Sequence, residues 1–161
     1  MNQRKDMLHL MLVSRHGESW AVIEALRREH DTVQVYANGT DPWNVHDVLA
    51  HLVDAETGVQ AQIRKLMAGE DAVPLDFDIH RWNRSVVRRG AEISLDELRK
   101  RLLQAYEQVL ALVDELEEDD FNLRGFASLG RIRSTQELLL GVADHRLEHA
   151  LDIQRAIEGD V

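Results

Sequence analysis

The chain has 161 residues, 44% of them hydrophobic, enough for residues 1–161 to form one domain with a packed core. Its 29 acidic residues against 19 Lys and Arg give a formal net charge of −10, which repels phosphate backbones and argues against nucleic-acid binding. There is no cysteine, so the protein supplies neither disulfides nor thiolates, and any metal must be held by His and carboxylate groups.

At the N-terminus, Met1-Asn2-Gln3-Arg4-Lys5-Asp6 leads into an apolar stretch broken by His9, Ser14 and Arg15. That pattern fits neither a signal peptide nor a membrane span, so a soluble cytoplasmic protein is expected. From about residue 5 to residue 29, Leu8, Met11, Leu12, Val22, Ile23 and Leu26 recur at helical spacing. Arg15 and Ser19 fill the middle of this stripe, and Gly17 weakens the helix. Residues 31–40 read most simply as a connecting loop ending in Asn38-Gly39, with a short extended piece through Val33, Val35 and Tyr36 as the alternative.

A second helix is predicted to start at Asn44, an N-cap, with Asp47 in its first turn. Its apolar stripe is Val45, Val48, Leu49, Leu52, Val59, Ile63 and Leu66, with Glu56 near the middle and His51 at the edge. After a loop over residues 67–78, residues 80–89 read as a short helix ended by Gly90, its arginines forming a solvated face. Ser94 and Glu97 make a capping-box pattern before Leu95, Leu98, Leu102, Ala105, Val109, Leu112 and Leu116, whose steps of three and four mark a bundle helix. An acidic run over residues 115–120 ends the pattern, and a loop passes through Gly125 and Gly130. A second capping-box pattern, Ser134 with Glu137, then opens a last helix that runs to about Glu158. The fold class is therefore all-α, a four-helix bundle with a short additional helix. No internal repeat, low-complexity segment, Rossmann fingerprint or P-loop is present.

On the last helix, about 100° of rotation per residue places Leu138, Val142, His145, His149, Ile153 and Ala156 in one sector and turns Asp144, Arg146 and Gln154 away from it. Residues four apart have Cβ atoms roughly 5–6 Å apart, which suits two imidazoles meeting on one ion at about 2.0–2.1 Å each. Spacing alone leaves two readings: a ligand pair, or two core imidazoles that each find a buried hydrogen-bond partner. His9, His16, His30, His46 and His80 read as surface or loop residues. Arg84 and Arg88 share a helical face and, with Asn83, either line the approach of an anionic ligand or, as the favoured reading, face solvent.

Taken together, three segments resemble the DinB-like (YfiT-like) family of metal-binding four-helix bundles. They are Trp43-Asn44-Val45-His46-Asp47-Val48-Leu49-Ala50-His51-Leu52, then Phe77-Asp78-Ile79-His80-Arg81-Trp82-Asn83 ahead of the Ser94 cap, and His145-Arg146-Leu147-Glu148-His149. The resemblance spans roughly residues 5 to 158. It implies a three-histidine site of His51, His145 and His149 holding a divalent transition metal, zinc or nickel foremost, with an open position of the catalytic kind. It further implies a thiol-dependent transferase or isomerase in which a low-molecular-weight thiol such as mycothiol or bacillithiol meets a small electrophilic substrate. A non-catalytic bundle that binds metal or a small ligand is the contrasting expectation. Ligating imidazoles usually give their other N–H to a carboxylate or carbonyl, and Glu56 is the candidate for that partner, with Asp144 and Asp47 behind it. A partly exposed surface acid is the other reading of Glu56. A homodimer is compatible with a bundle of this size, although no residue specifies one.

One motif competes. Leu12-Val13-Ser14-Arg15-His16-Gly17-Glu18-Ser19 resembles the Arg-His-Gly signature of histidine phosphatases, whose histidine takes up the phosphoryl group. That chemistry requires a strand end in an α/β sheet, whereas nearly everything downstream has helical period, so the phosphatase reading is disfavoured.

Overall fold

Short polar side chains fix where each long helix begins. In this computed structural model, which describes residues 2–38 and 41–159, Asn2 accepts hydrogen bonds from the Arg4 and Lys5 N–H groups at the start of α1 (Gln3–Glu24). Asn44 and Asp47 form a complete capping box at the start of α2 (Val45–Met67), each side chain bonding the other's backbone N–H at 2.9 and 3.1 Å. Asp78 caps α3 (Ile79–Gly90), Ser94 caps α4 (Leu95–Glu115) and Ser134 caps α5 (Thr135–Glu158). The two serine patterns are half-boxes: Ser94 and Ser134 accept as expected, but Glu97 pairs with Arg101 and Glu137 with Arg124 instead of reaching back.

The all-α expectation holds, with two small additions. The segment over residues 31–40, read foremost as a loop, contains β1 (Gln34–Tyr36), which pairs antiparallel with β2 (Trp43–Asn44), so the extended alternative is the correct one. The expected Asn38-Gly39 turn runs into Gly39 and Thr40, outside the described residues. The segment read as a loop through Gly125 and Gly130 is a second hairpin, β3 (Arg124–Ala127) with β4 (Arg131–Ser134). Gly130 has φ of 78°, the left-handed turn conformation that glycine adopts without strain. Helix α1 starts earlier and ends earlier than predicted: Ala25, still α-like, caps it, and the chain is extended at Arg27 before a 3₁₀ turn over Arg28–His30. Gly17 does not interrupt it.

α1 packs against α4 and α5, and α2 packs against the same two helices, so the consecutive long helices α1 and α2 stand diagonally opposite. The connection between them crosses the bundle and carries β1 onto α5 and α2. α3 lies outside the bundle, against α2. Its last residue, Gly90, approaches so closely that a Cβ there would stand 2.6 Å from that of Ala50.

The apolar interior falls into two clusters. One gathers Leu8, Leu12, Val59, Ile63, Val109, Leu112, Leu138 and Val142; the other gathers Ile23, Val45, Leu49, Leu52, Leu98, Leu102, Ala150 and Ile153. Among the described residues no helix is long and apolar enough to cross a membrane.

His46, expected at the surface, is instead a half-buried staple. Its Nδ1 meets Asp31 at 2.8 Å and its Nε2 meets the Gly90 carbonyl at 2.9 Å, tying the start of α2 to the segment after α1 and to the end of α3. Two acceptors require both ring nitrogens to carry protons. Burial alone would depress the His46 pKa, but the bonds to Gly90 and Asp31 and the charges of Asp31 and Asp47 outweigh it and leave the pKa raised. A raised folded-state pKa gives stability that is fully present below the unfolded value of about 6.5 and is lost as pH rises through the folded value. The melting temperature of wild type should therefore exceed that of His46→Gln most below pH 6.5, and the gap should narrow above it. Parallel profiles for the two proteins across that range would refute the staple.

Candidate metal centre

His51 is delivered by α2, and His145 and His149 by α5, one turn apart on the side that faces α2. The three imidazoles meet edge to face, with ring centroids 4.5 to 5.2 Å apart. Nε2 of His145 stands 2.9 Å from Nε2 of His51 and 3.1 Å from Nε2 of His149. The Trp43 ring, carried by β2, closes one side at 4.9 Å from the His51 ring.

Three Nε2 atoms turned toward one another have few ways to satisfy themselves. A neutral imidazole carries one N–H and one lone pair, so any nitrogen whose proton sits on the far side presents only a lone pair to the centre. For His149 the far side is settled. The Tyr36 hydroxyl lies 2.5 Å from the Asp152 carboxylate and donates to it; the same oxygen lies 2.7 Å from His149 Nδ1 and so accepts the Nδ1–H. Burial, and then the bond to Asp152, hold the Tyr36 pKa far above its ordinary value, so the phenol keeps its proton. His149 Nε2 is left with its lone pair facing the other two rings.

Burial also keeps the rings uncharged. Desolvation foremost, followed by repulsion from His149, lowers the His51 pKa to about 4. Desolvation, with repulsion from His51 and His149, lowers that of His145 to about 3, and burial lowers that of His149. Neutral imidazole is the form that coordinates a metal. Two nitrogens bound to one ion at about 2.0–2.1 Å lie roughly 2.9–3.4 Å apart for ligand angles of about 90–110°, and the observed separations of 2.9 and 3.1 Å fall within that window. The donor set, two of its three separations and the gathering of all three nitrogens within 4.8 Å of one another fit a divalent transition metal. Among the described residues this is the one group of three or more His, Cys, Asp or Glu side chains so disposed.

The carboxylates expected to support the imidazoles do not do so. Glu56 is 2% exposed and pairs with Arg146 at 3.1 Å. Asp144 pairs with Arg15, and Asp47 caps α2. The acid that reaches a ligand-bearing ring is Asp152, through Tyr36; it sits one turn beyond His149 on α5, a helical spacing visible in the sequence, but Tyr36 comes from a distant strand and nothing local announces it. The Asn83 side chain approaches His51 closely enough to favour its charged form, while His51 Nδ1 is buried without a hydrogen-bond partner of good geometry. Arg84 faces Asp41 at 3.8 Å, and Arg88 is exposed, in keeping with a solvated face.

Arg146, turned away from the stripe in the helical projection, is only 1% exposed. α5 packs against α1 as well as α2, so it buries a second arc that a single stripe does not register. Arg146 Nη2 forms an ion pair with Glu56 Oε1 at 3.1 Å, its Nη1 donates to His16 Nδ1 at 2.8 Å, and its guanidinium lies 5.1 Å from the centre of the Tyr106 ring. His16, expected at the surface, stacks on Tyr106 with centroids 3.6 Å apart; burial foremost, then Arg146, lower its pKa to about 4. Burial pushes the Glu56 carboxyl up to about 7 against the opposing pull of Arg146. Arg15, His16 and Gly17 lie in mid-helix with these partners rather than at a strand end, so the phosphatase motif has no structural counterpart. His9 meets Asp114, His30 accepts from the Arg27 N–H and His80 is exposed, so none of them joins the cluster.

A bundle with diagonally placed first and second helices and three imidazoles converging on one seam defines a class of helical proteins built around a histidine centre. The profile of the DinB superfamily matches residues 15–153, and the chain belongs to that superfamily. Among solved structures, the mycothiol-dependent maleylpyruvate isomerase is similar with a TM-score of 0.78 at 14% identity, over 92% of this chain and 60% of that one. This chain thus spans only three-fifths of that protein. YfiT from Bacillus subtilis, described as a probable metal-dependent hydrolase with an unusual four-helix bundle topology, has a TM-score of 0.73 at 17% identity, over 98% of this chain and 90% of that one. An uncharacterised protein from Escherichia coli UTI89 has a TM-score of 0.75 at 13% identity, over 99% and 96% of the two chains. No curated protein matches the sequence. At these identities the structural likeness establishes the fold.

The Arg146–Glu56 pair sets a test of buried against exposed charge. Arg146→Met leaves the Glu56 carboxyl buried without its counter-charge and is expected to cost about 3–5 kcal/mol. Arg15→Met removes a more exposed pair with Asp144 and should cost about 1 kcal/mol or less. Urea unfolding of both variants measures the difference, and equal losses would contradict a buried pair.

Proposed function

We propose that this protein is a metal-dependent enzyme that holds one divalent transition ion, zinc or nickel, through His51, His145 and His149, and that promotes attack of a low-molecular-weight thiol on a small electrophilic substrate. The observation that carries this reading is the inward turn of three uncharged imidazoles whose Nε2 atoms lie 2.9 and 3.1 Å apart, one of them with its tautomer set by Tyr36. Three protein ligands leave a position open, as catalytic sites do and closed structural sites do not. A bound ion would lower the pKa of a thiol or water placed beside it and polarise an electrophile.

The chain's own residues divide the remaining work. Asp152 and Tyr36 hold His149 in the tautomer that presents Nε2, and Trp43 shields one side of His51 from water. Asn83, on α3, reaches His51 and would orient a small molecule bound there. The absence of cysteine suits an external thiol, since no side chain of the protein competes for the open position. Water in the same position gives a hydrolase, the activity ascribed to YfiT; a rate that rises with added thiol supports the transferase or isomerase reading, and turnover without thiol supports the hydrolase.

Elemental analysis of the purified protein should find about one zinc or nickel per chain, and His149→Ala should lose it; equal metal content in the two proteins would remove His149 from the site. Chelation should lower the melting temperature of wild type but not of His149→Ala, because an ion that binds the native state stabilises it by mass action.

Tyr36→Phe removes the hydroxyl that fixes His149 and should weaken metal affinity about 10–100-fold. An unchanged affinity would show that the tautomer is set without Tyr36.

A further inference from the structure

His16, Glu56, Tyr106 and Arg146 form a single polar layer, with one side chain from each of the four bundle helices and each near the midpoint of its helix. The layer lies where the apolar interior is interrupted. On α2 no apolar side chain is fully buried between Leu52, in one cluster, and Val59, in the other. On α5 none is fully buried between Ala143 and Ala150. Within those two gaps Glu56 and Arg146 are the only buried side chains, and they meet across the seam at 3.1 Å.

The same gap on α5 holds His145 and His149, and Arg146 is the immediate neighbour of His145. On α2, Glu56 stands five residues beyond His51, about 7.5 Å along the helix axis. A coordination centre shared by two helices tolerates only tenths of an ångström of slippage between them; apolar packing of Leu49, Leu52, Ala150 and Ile153 holds one side of the histidines, and across the gaps on their other side the Arg146–Glu56 pair is the buried contact. We infer that the Arg146–Glu56 pair is a positioning element of the histidine centre, fixing the separation and register of α2 and α5 so that Nε2 of His51 meets Nε2 of His145. Neither residue contacts the proposed ion. The geometry supports directional spacing rather than general adhesion: the guanidinium is held in place by three groups at once, Glu56, the His16 Nδ1 acceptor and the Tyr106 ring face. A fork clamped on several sides transmits position better than a flexible apolar contact does.

This inference rests on the metal reading and separates from it by experiment. Two variants pull stability and positioning in opposite directions. Glu56→Leu/Arg146→Met replaces the pair with apolar groups of similar size, which generally preserves or raises stability, yet abolishes the directional link. Glu56→Gln keeps an acceptor for Nη2 while leaving Arg146 uncompensated, so it lowers stability and keeps the link. Chelator-treated proteins are melted to rank their metal-free stability, then titrated with cobalt(II) and followed by its visible absorption. The double variant should match or exceed wild type in melting temperature but bind cobalt(II) about 10–100-fold more weakly, the loss typical of removing a support around metal ligands. Glu56→Gln should melt lower and bind within about threefold of wild type, as expected where the support is kept. Wild-type affinity in the double variant, or affinities that follow melting temperature across the three proteins, would overturn the positioning role and leave the metal reading standing. Absence of cobalt(II) binding by wild type would overturn both.

Discussion

The seam between α2 and α5 is where this structure meets the constraint that a polar group removed from water must be paired. Around it the chain answers that constraint twice, by different means, and leaves Glu56 Oε2, Arg146 Nε and His51 Nδ1 buried without hydrogen-bond partners. Arg146 and Glu56 pair their opposite charges inside the bundle, with His16 accepting from Nη1 and the Tyr106 ring lying against the guanidinium. His51, His145 and His149, a turn away, are kept neutral by burial and turn their nitrogens toward a common point. Replacing the Arg146–Glu56 pair with apolar side chains would join the two apolar clusters across the gap that now separates them.

The topology follows from the same seam. Because α1 and α2 are diagonal, the chain between them must cross the end of the bundle, and the crossing segment is what brings β1 and β2 over α2 and α5. Tyr36 and Trp43 arrive at the histidines by that route, one as a hydrogen-bonding support and the other as an aromatic wall. In a bundle joined by short turns between adjacent helices, neither residue would be near. The connection that looks like a mere linker in sequence therefore furnishes half of the environment of the site. His46 and Gly90 perform the corresponding task on the other side, anchoring α3 so that Asn83 faces His51.

Much of this was legible without coordinates. The caps at Asn44, Ser94 and Ser134 are local devices, and the stripes of Leu, Val and Ile on α2 and α4 report a face that each helix buries, so the long helices and their all-α class could be read directly. The His145/His149 pair was legible because i and i+4 share a face, and His51 entered through its resemblance to the DinB-like pattern. The hairpins were less legible, since a two- or three-residue strand is held by its partner and carries no periodicity of its own. Glu56 was correctly placed on an inward face and then given the wrong partner, because sequence shows which way a side chain points and not what waits for it.

Arg146 marks the limit. Its position one residue off the apolar stripe is a surface position for a helix with one neighbour and an interior position for a helix with two, and the number of neighbours is a property of the assembled bundle. The same holds for the Asp152–Tyr36–His149 relay, whose middle member comes from more than a hundred residues away in the chain. The sequence by itself determined the helices, their caps, the pair of inward imidazoles and the want of a thiol, all of which depend on local spacing and composition. Only the tertiary structure decided which helices adjoin, which buried charges meet and which side chain orients each imidazole, because those depend on distances between segments that no local rule encodes.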